Sequence, residues 1–453
     1  MAEKEHNTIG VRKRLRELAT DAVGKQGTLR SKIVRGTGGS FLLKGIKAGL
    51  SLVTSVILAR VLGTEGYGIY AYAISWVRLL IVPSSVGVPM LLTREVANYE
   101  AREEWGMLRG VLSWTDRVAL GASLFIALAG AGTVWWFQGA LRYEMRLGLY
   151  AAMGLLPLLT MIRVRQGGIR GLHHVVEAQL PRMLVLPVVF LVLVGSLHYI
   201  TGVNSLSALL LKIAAALAAL LLGEALLRRR LPASTSKARR IYSSREWIRS
   251  SLPFLFARAG NTASQQWPIV LTGTIAGPEA AGMFNVVRKV GNLVKFTLDA
   301  VNMPLAPAIA NLYDSGETKR LQRVATRAAR LALIGALPVA LGLTFFGEFA
   351  LSFFGEGFTQ GATALAVICA AQIIEAGAGS VGYILNMSGH EIDTAWGAAL
   401  MVTVITVSGA VLIPPLGVEG TAISYFAGVS IVNVVLAVRV YSKVGINSTV
   451  VSM

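Results

Sequence analysis

The sequence predicts an all-α integral membrane protein, with 12 transmembrane helices in two pseudo-symmetric six-helix bundles around a central cavity. Three observations predict it. Twelve apolar spans run through the 453 residues, each near the roughly 20 residues that a helix needs to cross a bilayer. The spans repeat. Shifted by 214 positions, Val56, Gly63, Glu65, Gly68, Leu79, Leu91 and Tyr99 land on Val270, Gly277, Glu279, Gly282, Leu293, Leu305 and Tyr313. Composition agrees, with 54% hydrophobic and only 15% charged residues and a mean hydropathy of +0.60, where globular chains average about 45–50% and about 25%. Duplicated helical bundles of this kind place a substrate site between the two copies.

The elements follow in order. Residues 1–37 form a basic N-terminal tail containing Arg12-Lys13-Arg14-Leu15-Arg16. No apolar run with a cleavage site follows it, so the first span is expected to serve as an uncleaved insertion signal. Val11, Leu15 and Leu18 recur at helical spacing beside these bases. They fit either an amphipathic helix on anionic lipid or a solvated tail. The first bundle, 38–227, holds spans 38–62, 67–92, 110–136, 146–164, 181–199 and 205–227. A basic cytoplasmic linker, 228–247, leads to the second bundle, 248–440, with spans 248–273, 279–307, 328–350, 359–384, 394–413 and 417–439; a tail, 441–453, follows.

Orientation comes from the bases. The formal net charge is +19, concentrated at even-numbered junctions: Arg163, Arg165, Arg170 and Arg182, then Arg228-Arg229-Arg230 through Arg245, then Lys319 through Arg330. Odd-numbered junctions are short and hold Glu65, Glu279, Glu348 and Glu356, with Arg142 and Arg146 as exceptions. The positive-inside rule puts the basic side and both termini in the cytoplasm of a multi-pass cell-membrane protein. The bases alternate with spans, so topology accounts for them and a nucleic-acid partner is not expected.

Charge inside the spans carries the chemistry. Span eight holds Asn285, Arg288, Asn292, Lys295, Asp299 and Asn302 at spacings of 3 and 4, which is one stripe about 100° wide. Ionisable groups at membrane depth cost at least roughly 2.5–3.5 kcal/mol each, so they face a bundle interior or a wet cavity. Lys295 and Asp299, at i and i+4, also fit a self-neutralising pair. Span one carries Lys44, Lys47, Ser51 and Thr54; span seven carries Arg258, Asn261, Gln265 and Pro268 at the same offset of 214, and Arg78 falls opposite Asn292. A lumen lined by Lys44, Lys47, Arg78, Arg258, Asn261, Arg288, Asn292 and Lys295 would attract an anion such as phosphate or diphosphate. Lys44 and Lys47 could instead snorkel to the interface. Asp299 and Glu375 are the candidate groups for ion coupling, because a buried carboxylate can titrate.

Enzyme signatures are missing. There is no G-x-x-x-x-G-K-[ST] run for nucleotide phosphates and no Cys/His spacing for a metal, so neither cofactor nor catalysis is expected. His173-His174 reads as a solvated pair, and Cys369 as a small buried apolar residue.

The run Leu58-Ala59-Arg60-Val61-Leu62-Gly63-Thr64-Glu65-Gly66-Tyr67-Gly68-Ile69-Tyr70 resembles the signature of polysaccharide and oligosaccharide flippases, in the superfamily that also holds multidrug and toxic-compound extrusion pumps. Arg165-Gln166-Gly167-Gly168-Ile169-Arg170-Gly171-Leu172 and Leu385-Asn386-Met387-Ser388-Gly389-His390-Glu391 are similar to it as well. The lipid II flippases of the superfamily usually carry further helices after the twelfth. The resemblance implies movement of a polyprenyl-diphosphate-linked oligosaccharide to the outer leaflet, through a central cationic cavity, for surface-polysaccharide assembly. Its partners would be the lipid-linked glycan, membrane lipids and other assembly proteins. An ion-coupled drug or metabolite extruder on the same fold is the alternative, though cationic drugs would favour an acidic cavity. A membrane-embedded glycan polymerase or ligase fits less well, since the odd-numbered junctions are all short.

Overall fold

The computed structural model describes residues 45–450, so Lys44 and the N-terminal tail lie outside the described residues. Among the described residues the chain is helical, without strands. Helix α1, Gly45–Ser85, is followed by α2 (Val88–Ala101), α3 (Trp105–Trp136) and α4 (Tyr143–Gly171). Then α5 (Val175–Leu180) passes through a π-turn at Pro181–Val185 into α6 (Leu186–Ile200), and α7 is Ser205–Arg230. A short α8 (Ala233–Lys237) precedes α9 (Ser244–Ile275) and α10 (Gly277–Asp314). The remainder is α11 (Thr318–Phe345), α12 (Gly347–Ser352), a 3-10 turn at Glu356–Gly361, α13 (Ala362–Ala378), α14 (Val381–Met387) and α15 (Glu391–Val444).

Eight of these helical stretches are long and apolar enough to cross a membrane. Two of the eight turn back at a left-handed glycine: Gly63 (φ 69°) within α1 and Gly417 (φ 53°) within α15. Each therefore supplies two crossings. With α9 and α10, whose polar stripes lower their hydropathy, the set is compatible with 12 crossings of a multi-pass membrane protein.

The internal repeat is present in the backbone. Gly63 and Gly277, 214 residues apart, both take positive φ (69° and 89°) and both join the first crossing of a half to the second. That conformation is cheap only without a Cβ. The two halves then differ in where they break. The first half breaks at Val86 and Gly87 (φ 46° and 70°), where α10 runs on unbroken to Asp314. The second half breaks at Gly379 (φ 77°), where α4 runs on through Arg165. Both breaks fall inside expected spans (67–92 and 359–384), and both are set by a distant backbone. A Cβ on Gly87 would lie 2.1 Å from the Ser251 carbonyl oxygen, and one on Gly379 would lie 2.3 Å from that of Ser448. The C-terminal segment seals the second break: Val450 N–H donates to Gly377 O (3.1 Å), Ser448 Oγ to Ala378 O (3.2 Å) and Asn447 N–H to Gln322 Oε1 (2.6 Å).

Packing arranges the halves as a V, with the start of α9 still lying against the first half where Ser251 meets Gly87. One apolar core draws on both halves, from Leu58, Tyr67 and Val77 to Phe284, Val290 and Phe358. Toward the basic side it divides in two. Val88, Leu91, Leu108 and Trp247 belong to one core, and Leu305, Ile309, Leu385 and Val440 to another. At the apex the equivalent glycines of the repeat meet. A Cβ on Gly68 would stand 1.9 Å from the Pro278 carbonyl oxygen, and one on Gly282 would stand 2.6 Å from Gly68 Cα. Small residues permit this close helix crossing. Thr64 Oγ1 donates to Glu279 Oε1 (2.7 Å) beside it.

The connection between halves is strapped to the first one. Ile241 N–H donates to Gly106 O (3.1 Å) and Arg109 Nη1 to Ala238 O (2.8 Å). Trp247 is buried, donates from Nε1 to Tyr99 Oη (3.0 Å) and lies 5.4 Å from the Trp114 ring.

Candidate functional site

A cavity of about 140 Å³, open to solvent, sits near the apex of the V on the first-half side. Helical periodicity brings its wall together. The first segment of α1 presents Lys47, Ser51, Thr54 and Ser55, and the second presents Tyr67, Tyr70, Ile74 and Arg78. Arg182, Leu186 and Phe190 follow at every fourth residue, α7 adds Lys212, and α10 adds Asn285 and Lys289 from the second half. Pro181 opens the π-turn that carries Arg182. A proline has no N–H to give the preceding turn, and π-turns of this kind tend to accompany functional sites.

Among the described residues the wall holds Lys47, Arg78, Arg182, Lys212 and Lys289 and no acid. Their depth is graded. Arg78 lies ten residues beyond Gly68 on the same helix, roughly 15 Å at the α-helical rise, while the ammoniums of Lys212 and Lys289 reach back to the apex itself. Lys212 Nζ donates to Tyr70 Oη (2.6 Å) and stands 4.5 Å from the Phe190 ring centroid and 5.3 Å from that of Tyr70. Tyr70 and Phe190 are stacked, 6.2 Å apart. Lys289 Nζ donates to Tyr67 Oη (3.1 Å) and to Ser55 Oγ, both in the first half. Tyr67 Oη in turn donates to Asn285 Oδ1 (3.0 Å). Both ammoniums donate to neutral oxygens.

A second polar cluster lies in the second half. Lys295 forms an ion pair with Glu375 across α10 and α13, both half-buried. Arg288 is buried with its Nε lacking a hydrogen-bond partner. Asn302 accepts a hydrogen bond from Ser380 at the α13–α14 break.

The placement of the sequence candidates is therefore divided. Lys47 and Arg78 line the cavity. Arg258, Asn292 and Asp299 are exposed along the open side of the V, and Gln265 donates to Asn261 there (2.9 Å). Arg288, Lys295 and Glu375 belong to the second-half cluster, so Lys295 has an ion-pair partner on another helix besides its neighbour Asp299. Lys44 lies outside the described residues. Arg182, Lys212 and Lys289 were not among the candidates, since Arg182 counts toward the basic junctions, Lys212 reads with Glu224 as two span-six charges three turns apart with separate partners, and Lys289 is one residue off the stripe. Its place one turn after Asn285 is the signal that could have found it.

Comparison with known proteins follows from this geometry. A family model described as polysaccharide biosynthesis protein matches residues 33–313. No curated protein sequence matches the chain. Among solved structures, the chain is similar to an inward-facing multidrug resistance MATE family transporter of the MOP superfamily. The identity is 13%, with 88% of this chain and 94% of that one covered and a TM-score of 0.69. An outward-facing MATE transporter of the same superfamily gives 13%, 91%, 95% and 0.57. A MOP superfamily transporter from Pyrococcus furiosus, described as having a binding pocket of reverse polarity that suggests a different function, gives 14%, 91%, 95% and 0.60.

Proposed function

The chain belongs to the polysaccharide biosynthesis protein family, and from that premise we propose that it is a flippase for a polyprenyl-diphosphate-linked oligosaccharide, working by alternating access between the cytoplasmic and outer leaflets of the cell membrane. The observation that carries this reading is a cavity whose described lining holds five basic side chains and no acid, at the joined end of a V that opens toward the basic side. The positive-inside rule makes that side cytoplasmic.

The diphosphate enters between the halves while its lipid tail stays in the bilayer. Arg78 and Arg182, nearer the mouth, offer planar forks matched to phosphate oxygens, and Lys47 adds charge at the entrance. Arg258, Asn261, Arg288, Asn292 and Lys295 on the facing half steer the same anion inward. Separation of the Gly68–Gly282 crossing then exposes the headgroup on the other side. The Lys295–Glu375 pair, with Asp299, is where an ion gradient would act on the second half.

The test is lipid analysis of a deletion strain, with leaflet-specific labelling of lipid-linked glycans. Accumulation of a polyprenyl-diphosphate glycan on the cytoplasmic face, relieved by the wild-type gene and not by a well-expressed Arg78→Gln/Arg182→Gln variant, supports the reading. An unchanged lipid pool with altered drug sensitivity replaces it with extrusion on the same fold.

A further inference from the structure

One face of α11 is charged over part of the length that a spanning helix gives to lipid. Arg320, Arg323, Arg327 and Arg330 follow one another at spacings of 3, 4 and 3, and Leu331, Ile334, Leu341 and Phe345 continue the same stripe. At about 100° per residue these eight side chains fall within roughly 100° of one another, and all are exposed. The opposite face, with Leu321, Ala325, Ala329, Ala332 and Ala336, is buried. The stripe therefore meets the bilayer.

Its apolar part is too short. Leu331 to Phe345 covers about 21 Å at the α-helical rise, against a hydrocarbon core about 30 Å thick. A helix meets such a deficit by drawing the bilayer thinner or by sending its flanking bases up to the headgroups, and tilt only enlarges it. Either response brings a lipid phosphate to the arginines next to Leu331. Topology asks for bases at this junction, but not for bases on the lipid face within that deficit.

The partners of these arginines differ along the stripe. Other helix ends on the basic side bring their own acids: Arg228 pairs with Glu224, Arg230 with Glu177 and Lys443 with Asp393. On α11, Arg320 has Glu317 (3.3 Å), and Arg330 donates from Nε to Val450 O (3.3 Å). Arg323 and Arg327 stand one turn apart between them and form no ion pair among the described residues.

We propose that this face of α11 binds an acidic phospholipid of the cytoplasmic leaflet. Its phosphate lies between Arg323 and Arg327, whose planar forks match phosphate oxygens, and its acyl chains cover Leu331, Ile334 and Leu341. A zwitterionic lipid carries its own cation beside the phosphate and gains less. No residue of α11 lines the cavity, so the site stands apart from the substrate path and does not rest on the flippase reading.

The experiment measures binding of the first lipid to the purified full chain by native mass spectrometry. The probes are phosphatidylglycerol and phosphatidylcholine with the same acyl chains. One base near a lipid surface contributes roughly fivefold, so the wild type should prefer phosphatidylglycerol by about twenty-fivefold. Arg323→Gln/Arg327→Gln should cut that ratio by about the same factor, and each single substitution by about fivefold. A control, Arg229→Gln/Arg245→Gln, removes two exposed bases elsewhere on the same side and should stay within about twofold of the wild type. A wild-type ratio near one overturns the site. So does an undiminished ratio in the Arg323/Arg327 variant, or an equal fall in the control, which would assign the preference to diffuse positive charge. If the double variant does not purify, the two single variants decide by the same criterion.

Discussion

Substituting Gly68 with alanine tests the apex of the V directly. The new methyl carbon would stand 1.9 Å from the Pro278 carbonyl oxygen, and contacts below 3.0 Å are essentially never seen. The obstacle is backbone, so no side chain can swing aside. The two helices must separate by about 1 Å, the difference between those distances. Overpacking of this kind costs about 1–3 kcal/mol, and the cost falls only on the state in which the apex is closed. At 1.4 kcal/mol per factor of ten, the closed-to-open ratio falls by roughly five- to a hundredfold. The assay places a cysteine at Ala71, buried near the apex in the cavity wall, in a Cys369→Ala background. It then follows labelling by a membrane-impermeant maleimide applied from the outer face. Gly68→Ala should speed labelling by the same factor, and Gly282→Ala, whose methyl would meet Gly68 Cα at 2.6 Å, should do likewise. The double variant should add little, because both act on one contact. Normal expression with wild-type labelling would refute the view that this crossing is the seal.

Two further outcomes are expected. Glu375→Gln leaves the Lys295 ammonium without its ion-pair partner; after discounting for partial exposure, the cost is roughly 1–2 kcal/mol in thermal unfolding, and adding Lys295→Met should recover part of it. A double variant no more stable than the single one would mean that the pair does not hold α10 to α13. Trp247→Ala removes a fully buried ring and should cost about 3–5 kcal/mol, whereas Trp247→Phe should cost about 1 kcal/mol, the value of the hydrogen bond to Tyr99. Both are read by chemical unfolding in detergent, and a near-neutral alanine variant would show that the strap can detach from the first half without consequence.

The architecture was legible because it rests on local chemistry. Apolar length and a 214-residue repeat follow from the chain itself, and Gly63 and Gly277 keep the same backbone turn at that spacing. The helix breaks were not legible, since Gly87 and Gly379 yield to the backbones of Ser251 and Ser448, far away in sequence. Of the candidate site, Lys47 and Arg78 could be read from stripes on their own helices. The repeat also suggested that Arg258 and Lys295 would share one lumen with them. Arg258 stands within electrostatic range of Arg163 and Arg182 on the first half, whereas Lys295 is held by Glu375 on α13. Lys289 reaches the first-half cavity because it lies close to where the halves still touch.

The seal over the α13–α14 break bears on how the protein is made. Gly377 and Ala378 are synthesised some seventy residues before Ser448 and Val450, which bond to them, and both crossings of α15 lie between. Until those crossings have left the ribosome and entered the bilayer, the break beside Glu375 and Lys295 has exposed carbonyls and no lid. The second half is therefore completed from its far end, and a reporter or affinity tag joined directly after Gly445 would compete with the last step of assembly.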